Sequence, residues 1–317
     1  MTNFDAYSIP DLSGKVVFIT GGTAGLGKSS IAELAKHNPA HIYFSGRNSN
    51  NASRVIEEIK TKVPNAQLTF IPCDLASFTS IDEAGKLFVS KSQRLDILIC
   101  NAGIMAVPAD VTADGYEIQF GTNHLGHALL IKHLLPTMLK TSEAYGDARI
   151  VSLTSLGFHG ALPGGICFKD LKSKQDIRVG GRWFRYFQSK LANILYASEI
   201  ARRCPSISVA AVHPGVIKTD LVNNLGLADR ALIAVTTIGT VLTPEQGVQN
   251  QLWAATVDKK DLQSGAYYEP VGRLGKPSKY SQDKHLASEL WDWTQKQLEG
   301  HNLFTHTLRS LLLDNAR

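Results

Sequence analysis

A run of four apolar residues followed at once by a glycine-rich loop is the feature that most constrains this chain. Residues 15–27 read K-V-V-F-I-T-G-G-T-A-G-L-G, and the unbroken run Val16–Ile19 predicts a parallel strand that is buried on both faces. The glycines allow a tight turn and bring backbone N–H groups close to a phosphate at the start of a helix near Gly25. Glycines after a strand also form ordinary turns, so this loop alone only favours a nucleotide site.

Apolar runs and helical patterns alternate along the rest of the chain. Single helical stretches separate the first four apolar runs, which predicts right-handed crossovers and a parallel sheet. The predicted strands after the first are His41–Ser45, Leu68–Ile71, Ile97–Cys100, Arg149–Leu153, Ser208–Val212 and Tyr267–Tyr268. The longest predicted helices cover about Tyr116–Lys140, Trp183–Arg203 and Leu286–Leu298. No repeat or linker divides the 317 residues, so we expect one α/β doubly wound domain, with about seven parallel strands and helices on both faces.

Charge and hydropathy restrict the partners of the chain. Lys and Arg total 33 against 28 Asp and Glu, and the net charge of +5 is spread without long basic runs. This suits an anionic cofactor better than a nucleic acid. The longest apolar stretch, Ala231–Leu242, is shorter than the roughly 20 residues that cross a bilayer, and Met1–Leu12 has no apolar block. We therefore expect a soluble protein without a membrane span.

The cysteines and histidines do not form a metal pattern. The four cysteines have neither metal-pair nor redox-pair spacing, which indicates a reducing, cytoplasmic setting. His124, His127 and His133 fall on one predicted helix, and the first two have a spacing that would suit metal ligands. No third ligand with suitable spacing joins them, so no metal site is expected.

A tyrosine and a lysine four residues apart carry the strongest chemical signal. In Tyr186-Phe187-Gln188-Ser189-Lys190 the first and last side chains share one helical face, which brings an ammonium group close to a phenol. Each group alone titrates near about pH 10, and a fixed positive charge would lower the pKa of Tyr186 toward neutrality. Such a pair suits proton transfer. The pattern also occurs on ordinary helices, so it needs partners elsewhere in the chain.

Further motifs follow the predicted strands in a fixed order. The first loop has the spacing Thr-Gly, three residues, Gly, one residue, Gly, whereas ordinary dinucleotide folds show G-x-G-x-x-G. The later motifs are Cys100-Asn101-Ala102-Gly103, Thr122-Asn123-His124-Leu125-Gly126-His127, Tyr186-Phe187-Gln188-Ser189-Lys190 and His213-Pro214-Gly215-Val216-Ile217-Lys218-Thr219. Together these residues resemble the short-chain dehydrogenase/reductase family in its single-domain form. The resemblance implies one Rossmann-like reductase domain over residues 1–317.

The resemblance also implies which residues contact the coenzyme. The position where NAD enzymes usually carry a carboxylate is Gly46, and Arg47 follows it. A guanidinium pairs well with a 2′-phosphate, so NADP(H) is favoured, and the alternative is that Arg47 is a solvated loop charge. The implied coenzyme contacts are Gly21, Thr23, Gly25, Leu26, Gly27, Arg47, Asn48, Asp74, Leu75, Asn101, Ala102, Gly103, Tyr186, Lys190, Pro214, Gly215, Ile217 and Thr219.

Four residues are implied to be catalytic by the same resemblance. Tyr186 donates a proton to a carbonyl oxygen while hydride passes from the nicotinamide, and Lys190 lowers the pKa of Tyr186 and binds the nicotinamide ribose. Ser155 hydrogen-bonds the substrate oxygen, whereas Ser152 falls within the strand. Asn123 holds a water that connects Lys190 to solvent. The implied activity is that of a carbonyl reductase or alcohol dehydrogenase acting on a ketone, aldehyde or alcohol.

The substrate pocket is expected in two segments, residues 156–182 and 221–243. Thirty-one positions separate Ser155 from Tyr186, and this insertion resembles the retinol dehydrogenase and WW-domain oxidoreductase branch. A lipophilic small molecule is the expected substrate. The apolar run Leu232–Leu242 is either a pocket lid or a packing or subunit contact. The tail, residues 301–317, covers a pocket, joins a partner or is disordered.

Family members commonly pair through the helices expected at Tyr116–Lys140 and Trp183–Arg203, which implies a homodimer or a homotetramer. Two other classes of protein remain as alternatives. A non-catalytic NADP-sensing or scaffold protein would retain the fold, but all four catalytic matches argue against it. An epimerase or dehydratase of the nucleotide-sugar relatives would show T-G-x-x-G-x-x-G and a separate sugar domain, and the loop spacing argues against it.

Overall fold

The computed structural model describes residues 4–217 and 241–301. The strands are β1 (Val16–Ile19), β2 (His41–Gly46), β3 (Leu68–Pro72), β4 (Ile97–Cys100), β5 (Arg149–Leu153), β6 (Ser208–Val212), β7 (Val216–Ile217), β8 (Val241–Leu242), β9 (Tyr267–Glu269) and β10 (Arg273–Leu274). Eight of them form one sheet in the order β10-β9-β6-β5-β4-β1-β2-β3, while β7 and β8 pair separately. All neighbours in the large sheet are parallel except β9 and β10. The prediction of seven parallel strands is confirmed, and β10 adds an antiparallel edge.

Helices cover the sheet. The α-helices are α1 (Gly25–Ala35), α2 (Ser49–Lys62), α3 (Phe78–Lys91), α4 (Ile118–Phe120), α5 (Gly126–Tyr145), α6 (Gly181–Arg203), α7 (Pro244–Gly247), α8 (Gln249–Thr256) and α9 (Lys284–Gln297). The 3-10 helices are Ala6–Ser8, Leu156–Gly160, Phe168–Asp170 and Lys259–Asp261. Within the described ranges, no helix combines the length and the apolar composition that a membrane span requires.

The side chains of β1 enter two separate cores. Val16 and Phe18 belong to the apolar cluster on one face of the sheet, and Val17 and Ile19 belong to the cluster on the other. All four are buried. The strand is therefore covered by helices on both faces, as its unbroken apolar run predicts. This confirms the doubly wound architecture.

The long helix expected over Tyr116–Lys140 is divided near its start. The Glu117 carboxylate accepts hydrogen bonds from the backbone N–H groups of Gln119 and Phe120, so the helix begins at Ile118. This is a helix cap formed by a glutamate side chain, and it explains why the expected start was too early.

A π-helical turn, Gly121–Leu125, lies between α4 and α5. The Gly126 N–H group bonds the carbonyl oxygen of Gly121, five residues back. A Cβ atom on Gly121 would lie 2.3 Å from the Thr112 methyl carbon, so this turn packs tightly. Because π-helical turns inside helices occur frequently at functional sites, the position of Asn123 in this turn is relevant to the site.

The last helix, α9, packs on α6 and reaches the π-helical turn that precedes α5. The rings of Trp291 and Tyr196 are stacked with centroids 5.1 Å apart. The Thr294 hydroxyl lies 2.9 Å from Nε2 of His124, and both side chains are buried. The chain's own C-terminal helix thus packs on α6, one of the two helices that were expected to pair two subunits.

The sheet order identifies the edge at which a ligand would bind. The chain continues from β1 to β2 and β3 on one side, whereas β4, β5 and β6 extend from the other side of β1. In doubly wound folds, ligands bind outside the carboxyl ends of the strands where the order reverses. The loops after β1, β4, β5 and β6 therefore border the candidate site.

Candidate active site

Thr20 joins the end of β1 to the end of β4. Its hydroxyl oxygen accepts hydrogen bonds from the backbone N–H groups of Asn101, at 2.9 Å, and Ala102, at 3.0 Å. The Asn101 side-chain nitrogen donates in turn to the Thr20 carbonyl oxygen, at 2.8 Å. The Asn-Ala-Gly motif is therefore held against the glycine loop at the carboxyl edge of the sheet.

Close packing requires two of the loop glycines. Gly21 has a φ of +68°, which favours glycine. A Cβ atom on Gly27 would lie 2.3 Å from the Gly21 carbonyl oxygen and 2.7 Å from the Asn101 side-chain nitrogen. No side chain fits at position 27, and α1 consequently approaches the loop closely.

The start of α1 fits a phosphate group. Gly25 has a φ of +51°, and a Cβ atom there would have no neighbour within 4 Å. Ala24 precedes the helix and provides no side-chain cap. The N–H groups of a first helical turn that lacks a cap attract anions, and the open space beside Gly25 gives a phosphate access to them. These residues fit the pyrophosphate of a dinucleotide.

Thr23 and Leu26 make packing contacts beside this loop. A Cβ atom on Gly46 would lie 2.9 Å from the Thr23 methyl carbon, and one on Gly247 would lie 3.2 Å from a Leu26 methyl carbon. A carboxylate side chain at position 46 therefore has no room while Thr23 keeps its position. The absence of an acidic residue at this place has a steric reason as well as a chemical one.

The side chains of Arg47 and Asn48 make different contacts. Arg47 is exposed at the end of β2, and among the described residues it has no ion pair. The Asn48 side chain caps α2 by accepting a hydrogen bond from the Asn51 N–H group at 2.9 Å. The guanidinium of Arg47 is thus the group that can meet an added phosphate, whereas Asn48 has a structural role.

Asp74 and Leu75 follow β3 at the same edge. The Asp74 carboxylate accepts a hydrogen bond from the Ala76 N–H group at 3.0 Å, which fixes the turn. A Cβ atom on Gly126 would lie 2.4 Å from the Leu75 carbonyl oxygen, so the start of α5 packs directly on this backbone. Both residues border the expected adenine side of the site.

Tyr186, Lys190 and Ser155 converge at the ends of α6 and β5. The Lys190 Nζ atom lies 5.7 Å from the centre of the Tyr186 ring and donates to the Leu153 carbonyl oxygen at 3.3 Å. Ser155 hydrogen-bonds the Tyr186 hydroxyl and also accepts from the Gly157 N–H group at 3.2 Å. Ser152 lies within β5, as expected.

Burial, rather than mutual attraction, dominates the charges of this pair. Loss of solvent raises the pKa of Tyr186 to about 12, which the hydrogen bond with Ser155 opposes, and lowers the pKa of Lys190 to about 8. In this structure the net change in the Tyr186 pKa is therefore a rise, opposite to the expected lowering. Both groups are deeply buried, and burial disfavours the charged form of each.

Asn123 is held by a set of hydrogen bonds that leaves its amide fully occupied. Its Oδ1 atom accepts from the Ile104 N–H group at 2.8 Å, and its Nδ2 atom donates to the Ile104 carbonyl oxygen at 2.9 Å and to the Ser189 hydroxyl at 3.0 Å. A Cβ atom on Gly103 would lie 3.1 Å from Asn123 Oδ1 and 3.3 Å from Lys190 Nζ. A side chain at position 103 would therefore press on both Asn123 and Lys190, and glycine leaves that space open.

The loop after β6 is described only in part. Gly215 has a φ of +94°, and a Cβ atom there would lie 2.5 Å from the Leu242 side chain. Ile217 is buried, and its side chain fills the space that a Cβ atom on Gly247 would occupy. Pro214 precedes this turn. Thr219 and residues 221–240 of the second expected pocket segment lie outside the described residues, and so do residues 302–317 of the tail.

Aromatic side chains surround Tyr186. The Trp183 ring lies 6.4 Å from the Tyr186 ring and 6.0 Å from the Phe187 ring, centre to centre. Cβ atoms on Gly157 and Gly160 would lie 2.9 Å and 2.5 Å from the Phe187 ring, so the first turn after Ser155 packs against α6. Trp183, Tyr186 and Phe187 thus form a cluster of aromatic rings in the first turns of α6.

Part of the segment 156–182 borders a separate cavity beside α6. A cavity of about 210 Å³ lies between this segment and α6, and Ile166, Ile177, Phe184 and Gln188 are among its lining residues. Neither Tyr186 nor Lys190 lines it. These residues of the segment therefore border a surface of α6 other than the one that carries Tyr186 and Lys190, and the assignment of the whole segment to the substrate pocket stays a prediction.

Three functional candidates escaped the sequence analysis. His127 appears there only as a candidate metal ligand, although its position four residues after Asn123 shows that the two share a helical face. In the structure its Nδ1 atom lies 3.0 Å from the Asn123 carbonyl oxygen. Glu117 and Arg185 form a buried ion pair with Oε1 and Nε 3.2 Å apart, which no local pattern signals because the pair forms across the fold.

The buried histidines are neutral. Burial lowers the pKa of His124 to about 3 and the pKa of His127 to about 4. Over residues 4–217 and 241–301, no group of three or more His, Cys, Asp or Glu side chains is arranged to hold a metal ion.

The fold and the site together define a class of protein: a nucleotide-binding α/β oxidoreductase. The family described as short chain dehydrogenase matches residues 15–168. The chain is 36% identical over 313 residues to the short-chain dehydrogenase/reductase drtF of Aspergillus calidoustus, which covers 94% of this chain and 98% of that protein. It is 36% identical over 284 residues to retinol dehydrogenase 12 of Homo sapiens, covering 89% and 85%. The chain belongs to the short-chain dehydrogenase/reductase family, whose members bind a nicotinamide coenzyme.

Solved structures share the fold. An uncharacterized protein from Mycobacterium Paratuberculosis is 27% identical and superposes with a TM-score of 0.71, covering 93% of this chain and 97% of that one. The NADPH-bound carbonyl reductase from chicken fatty liver is 21% identical with a TM-score of 0.64, covering 86% and 97%. The second similarity is one of fold alone.

Proposed function

We propose that the chain transfers a hydride between NADP(H) and the carbonyl or hydroxyl group of a lipophilic small molecule, with Tyr186 as the acid and base. The observation that carries this proposal is the buried arrangement of Tyr186, hydrogen-bonded to Ser155, with the Lys190 ammonium beside its ring. Burial keeps the pKa of Tyr186 at about 12, so its hydroxyl is protonated at neutral pH. A protonated phenol suits donation to a carbonyl oxygen, the reducing direction.

The roles of the remaining groups follow from their positions. The bound coenzyme supplies or accepts the hydride. Ser155 directs a hydrogen bond to the oxygen that Tyr186 protonates, and Lys190, with a pKa of about 8, remains mostly charged at neutral pH and stabilises negative charge on the phenol. Asn123 holds Ile104 and Ser189, so it orients the backbone next to Lys190. We propose that protons pass between Lys190 and solvent through a water bound at the backbone of Asn123.

The coenzyme preference rests on Arg47. Its guanidinium is exposed at the end of β2, and Gly46 leaves no carboxylate to repel a 2′-phosphate. The implied contacts in the loops after β1, β3, β4 and β6 complete a single coenzyme-binding domain in this proposal. A cytoplasmic location is proposed as well, since Cys73, Cys100, Cys167 and Cys204 are free thiols.

The substrate class follows from the surroundings of Tyr186. Trp183 and Phe187 lie beside Tyr186, and a substrate that reaches Tyr186 would meet their aromatic surface, which favours apolar substrates. Retinol dehydrogenases 11 and 12 of Homo sapiens, both with at least 35% identity, bear names that fit a lipophilic alcohol or aldehyde. We therefore propose ketones, aldehydes and alcohols with extended apolar groups.

The function is tested with purified protein and a panel of ketones, aldehydes and alcohols in the presence of NADPH or NADP⁺. We expect turnover with lipophilic members of the panel. Tyr186→Phe should keep coenzyme binding and lower kcat by about 10²-fold or more, because the proton donor is lost while the ring remains. Near-normal turnover by this variant would refute the assignment. Coenzyme binding without turnover of any panel member would instead favour the sensor alternative.

The coenzyme preference is tested by Arg47→Glu. The substitution replaces a phosphate partner with a repelling carboxylate, so the ratio of kcat/KM for NADPH to that for NADH should fall by at least about tenfold. Exposed Arg54→Glu on α2 is a matched control that makes the same charge change. Equal losses in the two variants would mean that Arg47 acts only through the overall charge.

A further inference from the structure

The hydrogen bonds of His127 close a ring of contacts that runs through Thr20, residues 101–104 and Asn123. One part of the ring joins Thr20 to the backbone N–H groups of Asn101 and Ala102, and another joins Ile104 to the Asn123 amide. The imidazole of His127 spans the remaining gap. Its Nε2 atom lies 2.9 Å from the Thr20 hydroxyl oxygen, and its Nδ1 atom lies 3.0 Å from the Asn123 carbonyl oxygen.

The partners of His127 determine where its proton lies. A carbonyl oxygen can only accept, so Nδ1 must carry the proton that it donates to Asn123. Nε2 is then an acceptor, and the Thr20 hydroxyl donates to it. The oxygen of Thr20 keeps its lone pairs for the N–H groups of Asn101 and Ala102. Every member of the ring is satisfied in this one arrangement. With the other tautomer, Nδ1 would have no proton to donate to the Asn123 carbonyl oxygen, Nε2–H would be a third donor to the Thr20 oxygen, and the Thr20 hydroxyl could donate only to the Ile99 carbonyl oxygen at 3.5 Å.

The surroundings keep this arrangement fixed. His127 is only 5% exposed, and burial together with the nearby charge of Lys190 lowers its pKa to about 4, so the ring is neutral at physiological pH. The two residues that the His127 imidazole contacts belong to different parts of the site. Thr20 begins the glycine loop that fits a pyrophosphate, while Asn123 lies beside Lys190 across Gly103.

We propose that His127 is a positioning residue that couples the coenzyme loop to the catalytic helix through its two ring nitrogens. The proposal rests on the proposed function for the identity of the two sites, but the coupling itself concerns Thr20 and Asn123. Nδ1 holds the backbone of Asn123, and thus the spacing of the π-helical turn from Lys190. Nε2 orients the Thr20 hydroxyl, which in turn holds the loop after β4 against the glycine loop.

Two amide substitutions test the roles of the two ring nitrogens of His127 separately. The nitrogen of an asparagine overlays Nδ1, and the end of a glutamine side chain overlays Nε2. His127→Asn should keep kcat within about twofold and raise the Kd for NADPH by roughly fivefold to twentyfold, because the bond to Thr20 is lost. His127→Gln should show the opposite: a Kd within about twofold and a kcat lowered by roughly fivefold to twentyfold. Fluorescence titration gives Kd, and steady-state kinetics at saturating NADPH gives kcat.

Amide hydrogen exchange provides a readout that needs no turnover. The N–H groups of Asn101 and Ala102 should exchange faster in His127→Asn than in His127→Gln, since only the first loses the bond that orients Thr20. If the wild type proves inactive with every substrate, the proposed function fails, while the Kd and exchange results still decide the coupling.

His124→Asn is the matched control. It removes an equally buried imidazole three residues earlier, whose hydrogen bond goes to Thr294 on α9. We expect it to lower the Tm and to change kcat and Kd in equal proportion. If both His127 variants also lower kcat and affinity in the same proportion, in step with their Tm, His127 is only a structural residue and the proposal is overturned.

Discussion

Glycine is required at positions 25 and 27 of the glycine loop for two different physical reasons. Gly27 is enclosed by protein atoms, since the carbonyl oxygen of Gly21 occupies the place where a Cβ atom would lie. Gly25 faces open space and has a positive φ. The first is required for packing, and the second leaves room that a phosphate would fill.

We expect Gly27→Ala and Gly25→Ala to fail in different ways. The methyl group at position 27 would lie 2.3 Å from a carbonyl oxygen, so thermal stability and coenzyme affinity should fall together. At position 25 it meets no protein atom within 4 Å. The positive φ there costs about 1–2 kcal/mol, so this variant should fold and lose coenzyme affinity because the methyl group occupies phosphate space. Thermal unfolding and coenzyme titration measure the two effects.

Gly146→Ala provides the control for the backbone cost alone. Gly146 has a φ of +80° at the end of α5, and its Cβ position is also open. The two variants should lose similar stability, and only Gly25→Ala should lose affinity. If Gly25→Ala bound the coenzyme as tightly as the wild type, the phosphate would have to lie elsewhere.

At this scale the sequence predicted residue positions better than residue properties. Helical spacing alone brought Tyr186 and Lys190 to one face, and the strand end brought Ser155 to the same edge. The expected direction of the Tyr186 pKa shift was wrong because burial is a property of the whole fold and cannot be counted from spacing. The role of His127 was missed because its partner Thr20 is more than a hundred positions away.

The elements around α6 are joined by a buried ion pair. Arg185, immediately before Tyr186, contacts the Glu117 carboxylate and donates to the carbonyl oxygens of Gln175 and Val107, each at 3.0 Å. The two charged side chains are 3% and 0% exposed. This one guanidinium therefore connects α4, the segment 156–182 and the start of α6. The position of Tyr186 depends on that connection.

Glu117→Gln should destabilise the fold and reduce its response to pH. The amide nitrogen would face one of the two backbone N–H groups that the carboxylate accepts from, and Arg185 would lose its charged partner, so we expect the free energy of unfolding to fall by about 3 kcal/mol at pH 7. Burial raises the pKa of Glu117 from 4.5 to about 6, so the folded state binds more protons than the unfolded chain between these values. The stability from this group is thus present below pH 4.5 and is lost as the pH rises through 6. Urea denaturation at several pH values measures both.

Asp110→Asn supplies the comparison for this prediction. Asp110 pairs with Lys174 at 3.4 Å, but their side chains are 64% and 60% exposed. Water screens such a pair, so the change should stay within about 0.5 kcal/mol. Equal losses in the two variants, or an unchanged pH slope in Glu117→Gln, would show that the buried pair is not what holds these elements together.

The elements themselves followed from the sequence with one clear exception. Strand β5 and strand β6 match their predicted bounds, since apolar runs buried on both faces have no other stable place in a chain of this kind. The helix expected over Tyr116–Lys140 was wrong at its start. Its cap is a glutamate and its first turn is π-helical, and neither departs from an ordinary apolar helical pattern.

For the molecule as a whole, the position of α9 bears on assembly. Trp291 is 5% exposed, stacks on Tyr196 of α6 and lies under the Arg203 guanidinium at 4.8 Å. Thr294 reaches His124 beside α5. The tertiary packing thus buries part of α6, one of the two helices that the family resemblance assigned to a subunit interface. Sequence could not show this, because it depends on where a separate helix docks.

We expect the wild-type chain not to pair through α5 and α6, because α9 occupies the α6 side of such a contact. Light scattering should then give the monomer mass of 34.5 kDa, or a larger assembly whose cross-links avoid both helices. Trp291→Ala removes the ring that anchors α9 and should lower the free energy of unfolding by about 3–5 kcal/mol. It should also increase self-association, since loosening α9 exposes apolar surface on α6. A wild-type dimer with cross-links between α5 or α6 of its two copies would contradict this expectation, since it would require α9 to leave the position that it occupies here.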